Sequence, residues 1–199
     1  MMRRLPIYIL SFSALTSAAG ETPQADVREY ALDSCHFTLI DPYGARIDTD
    51  TESPIHSASY ISLMRPNAQH SIEVSIRFTC NTNDGLDAFT NLHFKHESGS
   101  WSLIPSETDP ENLVQAKLYP IRGEHVIGAA HTENQTTGEF TERTQGLVFC
   151  LTDQKQILCG ISESVGYVAY PKESSLPQVL KLLESIEFIE PTPSPAGAP

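Results

Sequence analysis

Apolar residues alternate with polar ones at Ile72, Val74, Ile76, Phe78 and Cys80. A period of two puts these five side chains on one face of a half-buried strand over residues 71–80. Cys35, Phe37 and Leu39 repeat the pattern and predict a strand over 35–40, which the Asp41-Pro42-Tyr43-Gly44 turn then ends. Residues 57–64 fit a further strand, and Asn81-Thr82-Asn83-Asp84-Gly85 breaks the chain after Cys80. From residue 114 onward the text reads as an antiparallel meander, with strands over 114–121, 125–132, 140–151 and 157–162. Its breaks are Arg122-Gly123-Glu124, residues 134–138 and residues 153–156. Between the two groups, residues 86–101 show no single period, and Asp109-Pro110-Glu111-Asn112 suits a turn or a short helical start.

Only near the end does the period change to that of a helix. Leu176, Val179, Leu180 and Leu183 fall at i, i+3, i+4 and i+7, one apolar stripe. Ser175-x-x-Gln178 fits a capping box, and Pro177 is tolerated in a first turn. Residues 186–189 then suit a short closing strand. The expected fold class is α+β: mostly antiparallel sheet with a C-terminal helix packed on it, and two disulfides.

The ends of the chain have a different texture. Arg3 and Arg4 precede an apolar run over residues 5–15, and Ser17-Ala18-Ala19 supplies the small residues that signal peptidases read. Residues 1–19 are therefore expected to be a cleavable signal peptide, cut after Ala19. The run is too short for a spanning helix, which needs about 20 apolar residues. No cysteine stands at the cut for a lipid anchor. The expected organisation is a loose polar lead-in over 20–33, one domain over 34–190, and a disordered Pro-rich tail over 191–199. The periplasm is the expected location, with no membrane anchor in the mature chain.

The full chain carries 13 Lys+Arg against 25 Asp+Glu. Without Arg3 and Arg4 the balance is 11 against 25, a net charge of about −14. Such a field repels nucleic acid and anionic lipid and attracts basic partners. It serves solubility equally well.

Cys35, Cys80, Cys150 and Cys159 form an even set in an exported chain, with no Cys-x-x-Cys spacing, which argues for disulfides over metal. A turn at Gln154-Lys155 sets Asp153 opposite Gln156, Thr152 opposite Ile157, and Cys150 opposite Cys159. Laying 35–40 antiparallel to 71–80 sets Cys35 opposite Cys80, Phe37 opposite Phe78 and Leu39 opposite Ile76. Cys35–Cys80 and Cys150–Cys159 are the expected bridges.

Catalytic chemistry finds little purchase. Among seven histidines the densest group is His93-Phe94-Lys95-His96-Glu97, which lacks the His-Glu-x-x-His zinc pattern. On a strand His93 and His96 would point to opposite faces, so two solvent-exposed histidines are expected. His125 and His131 would share a face about 20 Å apart, too far for one metal. The Gly-x-Ser-x-Gly elbow is missing, and Cys159 in Cys159-Gly160-Ile161-Ser162 is better explained as a disulfide partner. In so acidic a chain, Glu139 with Glu142 or Asp84 with Asp87 carries no weight as an acid/base pair. Asn134-Gln135-Thr136 matches a glycosylation sequon, of consequence only in a eukaryotic secretory pathway. No catalytic residue, metal or cofactor is expected.

Residues 123–189 carry a resemblance. Gly123-Glu124-His125-Val126-Ile127-Gly128 opens a strand, Thr137-Gly138 breaks it, and Phe149-Cys150-Leu151 and Cys159-Gly160-Ile161-Ser162 follow. The segment closes on Leu182-Leu183-Glu184-Ser185-Ile186-Glu187-Phe188. This order resembles the C-terminal half of PsbP-like α/β sandwiches. It is similar also to signal-bearing immunity proteins that Gram-negative bacteria use against type VI secretion effectors. The resemblance covers about a third of the chain and brings no catalytic residues, because such proteins act by binding. It implies a periplasmic inhibitor that covers the active site of a cognate protein toxin, and the charge balance suits a basic one. Another exported binding or assembly factor on the same fold, or an enzyme with an unrecognised site, are the competing readings. The expected contact surface is the acidic break over 133–142, with Glu133, Glu139 and Glu142, together with Asp84 and Asp87, since loops on a fixed scaffold carry recognition.

Overall fold

The computed structural model describes residues 26–81, 87–105 and 115–190. The expected signal peptide, residues 20–25, Asp84, residues 109–112 and the expected tail lie outside the described residues. Among those described, 51% lie in strand and 11% in helix, so the fold is richer in β than α+β implies. No described helix is long and apolar enough to cross a membrane.

The elements in order are β1 Asp26–Leu32, β2 Cys35–Asp41, β3 Arg46–Asp50, β4 Ser57–Ser62, β5 Val74–Asn81, α1 Asp87–Asn91, β6 Phe94–Glu97 and β7 Ser100–Leu103. They continue with β8 Lys117–Arg122, β9 Ile127–Asn134, β10 Thr144–Thr152, β11 Ile157–Tyr167, a 3-10 turn Pro171–Glu173, α2 Leu176–Glu184 and β12 Glu187–Phe188. A seven-stranded antiparallel sheet runs β3-β4-β5-β11-β10-β9-β8. A three-stranded sheet, β1-β2-β12, packs with α2 on its inner face. The one-turn α1 and the β6-β7 hairpin cover part of its outer face.

Alternation divides the core in two. Val74, Ile76 and Phe78 of β5, Leu147, Phe149 and Leu151 of β10, and Leu158 of β11 point inward to Phe37, Leu39, Val179 and Leu183. Cys150, Cys159 and Ala129 point outward to Ala88, Phe89 and Phe94. Tyr30 stacks on Phe37 at 4.8 Å, Phe37 meets Phe78 at 5.5 Å, and Phe78 meets Phe149 edge-on at 5.7 Å. Gly160 makes room for this row: a Cβ there would stand 2.4 Å from the Phe149 ring and 2.4 Å from the Arg77 carbonyl.

Both expected bridges are present. Cys150 stands directly opposite Cys159 in the β10-β11 ladder, as does Thr152 opposite Ile157. The turn between them is held by Asp153 Oδ1, which accepts from the Lys155 and Gln156 amides. Cys35–Cys80 also forms, but not within one sheet. β2 belongs to the small sheet and β5 to the large one, so this bridge joins two layers. The expected facing of Phe37 with Phe78 survives as contact between layers and not as ladder pairing.

Three further expectations change. Residues 26–32 are no loose lead-in: β1 pairs with β2 along its length, from Asp26 opposite Asp41 to Leu32 opposite Cys35. Only Tyr30 and Leu32 are buried on that strand, too short an alternation to stand out among its polar neighbours. The capping box does not form: Ser175 makes no side-chain cap. Ser174 Oγ accepts from the Leu176 amide at 3.1 Å and donates to the Val165 carbonyl, which ties the helix start to β11. The strand expected over 140–151 begins only at Thr144. Residues 139–143 form a turn in which the Glu142 and Arg143 amides donate to the Glu139 carbonyl.

A second tie between layers centres on Asp41, at the end of β2. Its buried carboxylate accepts from the Tyr60 hydroxyl at 2.6 Å and from the Tyr43 and Ala45 amides at 2.9 and 2.8 Å. Arg28 Nε stands 3.4 Å away. Burial alone would raise the Asp41 pKa, but the Tyr60 hydroxyl, the two amides and Arg28 outweigh it and hold the carboxyl below its ordinary range.

In guanidinium titrations under non-reducing conditions, Cys35→Ala/Cys80→Ala should cost about 4 kcal/mol and Cys150→Ala/Cys159→Ala about 3 kcal/mol, by loop-closure entropy. Equal losses would remove the special weight of the inter-layer bridge. Tyr60→Phe deletes a hydrogen bond to a buried carboxylate and should cost about 2 kcal/mol. The stability held by Asp41 is present above its unfolded pKa and is lost as pH falls through the folded value. Tyr60→Phe removes one of the contacts that hold the folded value down, so acid unfolding should begin at a higher pH. An unchanged acid midpoint would rule out this tie.

Candidate partner-binding face

α1 and the β6-β7 hairpin cover the outer face of the large sheet only around Cys150–Cys159 and Ala129. The hairpin turns through Ser98 and Gly99, both at positive φ, the geometry of a tight two-residue connection. Trp101 stacks on Phe89 at 5.0 Å and closes this patch. Beyond it no described residue covers the outer face.

Two adjoining grooves run across the open part, of about 440 and 360 Å3. They share Ile161 and Glu163 of β11. Ladder register builds the floor: Ile161 stands opposite Val148 of β10 on one side and Arg77 of β5 on the other. Glu133 of β9 and residues 135–137 rim the larger groove, and Glu73, Ser75 and Ser59 line the smaller. A bulge between Gln145 and Leu147 places Gly146 in the larger groove wall. The face is thus mixed, with Val148 and Ile161 on its floor and three carboxylates and one guanidinium about them.

Of the expected contact residues, Glu133 lies on the groove rim with its side chain 45% exposed. Glu139 and Glu142 are exposed on the turn that follows residues 135–137. Asp87 opens α1, a separate element over the second disulfide, and Asp84 lies outside the described residues. Glu73, Arg77, Ile161 and Glu163 were not anticipated. They lie on two stretches of sequence that only the β5-β11 register brings together. Each was visible solely as the solvent-facing position of an alternating strand.

His131 sits where the open groove meets the cover. Its strand begins at Ile127, so His125 lies in the turn before β9 and the two histidines do not share a strand face. The ring is 1% exposed and packs edge-on against Phe94 at 5.1 Å. Nδ1 has no hydrogen-bond partner and stands 3.8 Å from Glu133 Oε1. Desolvation drives its pKa below the ordinary histidine value, against a smaller upward pull from the Glu133 carboxylate and the Leu92 carbonyl. The ring is therefore neutral at pH 7. His93 is half-buried ahead of β6, and exposed His96 leans on Trp101 at 4.5 Å. Among the described residues no three of His, Cys, Asp and Glu are grouped to hold a metal ion.

No family model matches this chain, and comparison with curated proteins and with solved structures returned no match.

A histidine whose folded pKa is depressed binds a proton more readily once unfolded, so its contribution to stability declines as pH falls below the unfolded value of about 6.5. Chemical denaturation between pH 7.5 and 5 should show this decline. His131→Phe should flatten it, whatever that variant's stability at pH 7.5. Parallel pH profiles for the two proteins would show that His131 is not the group responsible.

Proposed function

We propose that this chain is an exported binding protein, an immunity protein that binds a cell-envelope toxin in the periplasm and neutralises it. The open outer face of the large sheet is its contact surface. The observation that carries this reading is the make-up of that face. An apolar floor at Val148 and Ile161 is edged by Glu73, Glu133 and Glu163 on a sheet stapled by two disulfides. Apolar centre and polar rim are the anatomy of a protein interface. A rigid sheet loses little freedom on association.

Charge supports a basic partner. A net charge near −14 without residues 1–19 steers a basic protein toward this chain and disfavours nucleic acid and anionic membrane. Neutralisation by a surface of this kind needs no chemistry: a toxin whose active-site rim is basic is held and its site covered. The resemblance of residues 123–189 to type VI immunity proteins points the same way.

The test is co-purification from the periplasm with the product of the adjacent gene, followed by association rates at 50 and 500 mM salt. The rate should fall on the order of tenfold at high salt, as the Debye length drops to a few ångströms. Glu133→Lys/Glu163→Lys should slow association further at low salt. Deletion of the gene should sensitise cells to the neighbouring toxin; unaffected cells would dismiss the immunity reading.

A further inference from the structure

Six large apolar side chains are exposed among the described residues, and Phe140 is the aromatic one, 57% exposed. It stands in Gly138-Glu139-Phe140-Thr141-Glu142-Arg143, between two exposed glutamates. Phe140 is set apart by its place on an ordered turn between two carboxylates.

The turn is held on both sides of Phe140. The Glu142 and Arg143 amides donate to the Glu139 carbonyl at 2.9 and 3.2 Å, and Arg143 Nε donates to the Gly138 carbonyl at 2.9 Å. The Gln135 amide donates to the Thr144 carbonyl, and the Val168 amide to the Arg143 carbonyl, so both stems are anchored to the sheet. Arg143 is engaged with the turn's own backbone. Arg143 keeps its charge there, so with Glu139 and Glu142 beside the ring the turn carries a net charge of −1. The preceding loop, residues 135–137, is the rim of the larger groove.

We propose that Phe140 is the anchor of the interface: its ring enters an apolar socket on the basic partner, whose Lys and Arg side chains around that socket face Glu139 and Glu142. The inference rests on the binding reading above and names the part of the surface that sets the lifetime of the complex. Two features of the turn support it. A phenylalanine has only two side-chain torsions to lose, and its backbone is already ordered, so little of the gain from burying the ring is offset. A buried aromatic ringed by polar contacts that exclude water is also how binding energy concentrates in protein interfaces. The grooves, with their carboxylates, then govern approach, while Phe140 governs release.

The experiment measures association and dissociation rates of the full chain on the immobilised product of the adjacent gene. Wild type is compared with Phe140→Ala, Phe140→Trp and Glu139→Gln/Glu142→Gln. Phe140→Ala should raise the dissociation rate by about thirtyfold or more, the threshold of a hot spot, with association and its salt slope almost unchanged. Phe140→Trp should recover most of the lifetime. The paired glutamine variant should slow association and flatten its salt dependence. Because the Phe140 side chain is largely in solvent, Phe140→Ala should keep the wild-type melting midpoint, which separates lost contact from lost fold. Wild-type binding with an unchanged Phe140→Ala dissociation rate would overturn the anchor and leave the binding reading standing. No binding by wild type would overturn both.

Discussion

The contact between the small sheet and the large one is the constraint on which the rest of the molecule depends. The small sheet is a β1-β2 hairpin with a two-residue β12 beside it, and an isolated hairpin is marginally stable at best in water. They are ordered because Phe37 lies against Phe78, with Tyr30 stacked behind it, and because Cys35 is bonded to Cys80 at the edge of the same patch. Asp41 ties the far end of β2 to Tyr60 of β4. The small sheet is thus pinned at both ends of β2. α2 has a floor for Val179 and Leu183 only once that layer is in place.

With the inner face of the large sheet filled, the outer face becomes the variable one. Its apolar positions must be covered or left open. Around the second disulfide the chain covers them itself, with Phe89, Phe94 and Trp101. Around Ile161 it leaves them open and surrounds them with carboxylates. The boundary falls at His131, whose ring belongs to the covered part while its neighbour Glu133 belongs to the open part.

What could be read from sequence was what is local. The Cys150–Cys159 hairpin follows from counting residues across a short turn, and the structure has that register. The Cys35–Cys80 pairing was inferred correctly from matched alternation, yet alternation specifies only that two faces meet. It cannot say whether they meet as neighbours in a ladder or as opposed layers, and here they are layers. β1 was invisible because its burial rests on two residues, Tyr30 and Leu32. The β6-β7 hairpin was signalled by Ser98-Gly99, but two four-residue strands hold too few alternations to outweigh a mixed context. The site follows the same rule. Glu133, Glu139 and Glu142 are close in sequence and could be named together. Glu73, Arg77 and Glu163 join them only through strand order, which no local pattern contains.

The two bridges also meet. Cys80 stands opposite Leu158 and Cys159 opposite Thr79, so adjacent residue pairs of the β5-β11 ladder carry one bridge inward and the other outward. Each bridge serves a different layer: the inward one holds the small sheet, and the outward one lies beneath α1 and the hairpin. The inward bridge ties the small sheet to the large one, while the outward bridge ties β10 to β11 within the large sheet, beneath the cover. A reducing compartment weakens both attachments at once, because a broken bridge returns loop entropy to the unfolded chain in each case. An oxidising compartment restores both. For a protein proposed to meet its partner in the periplasm, this couples a rigid binding face to the place where it is needed.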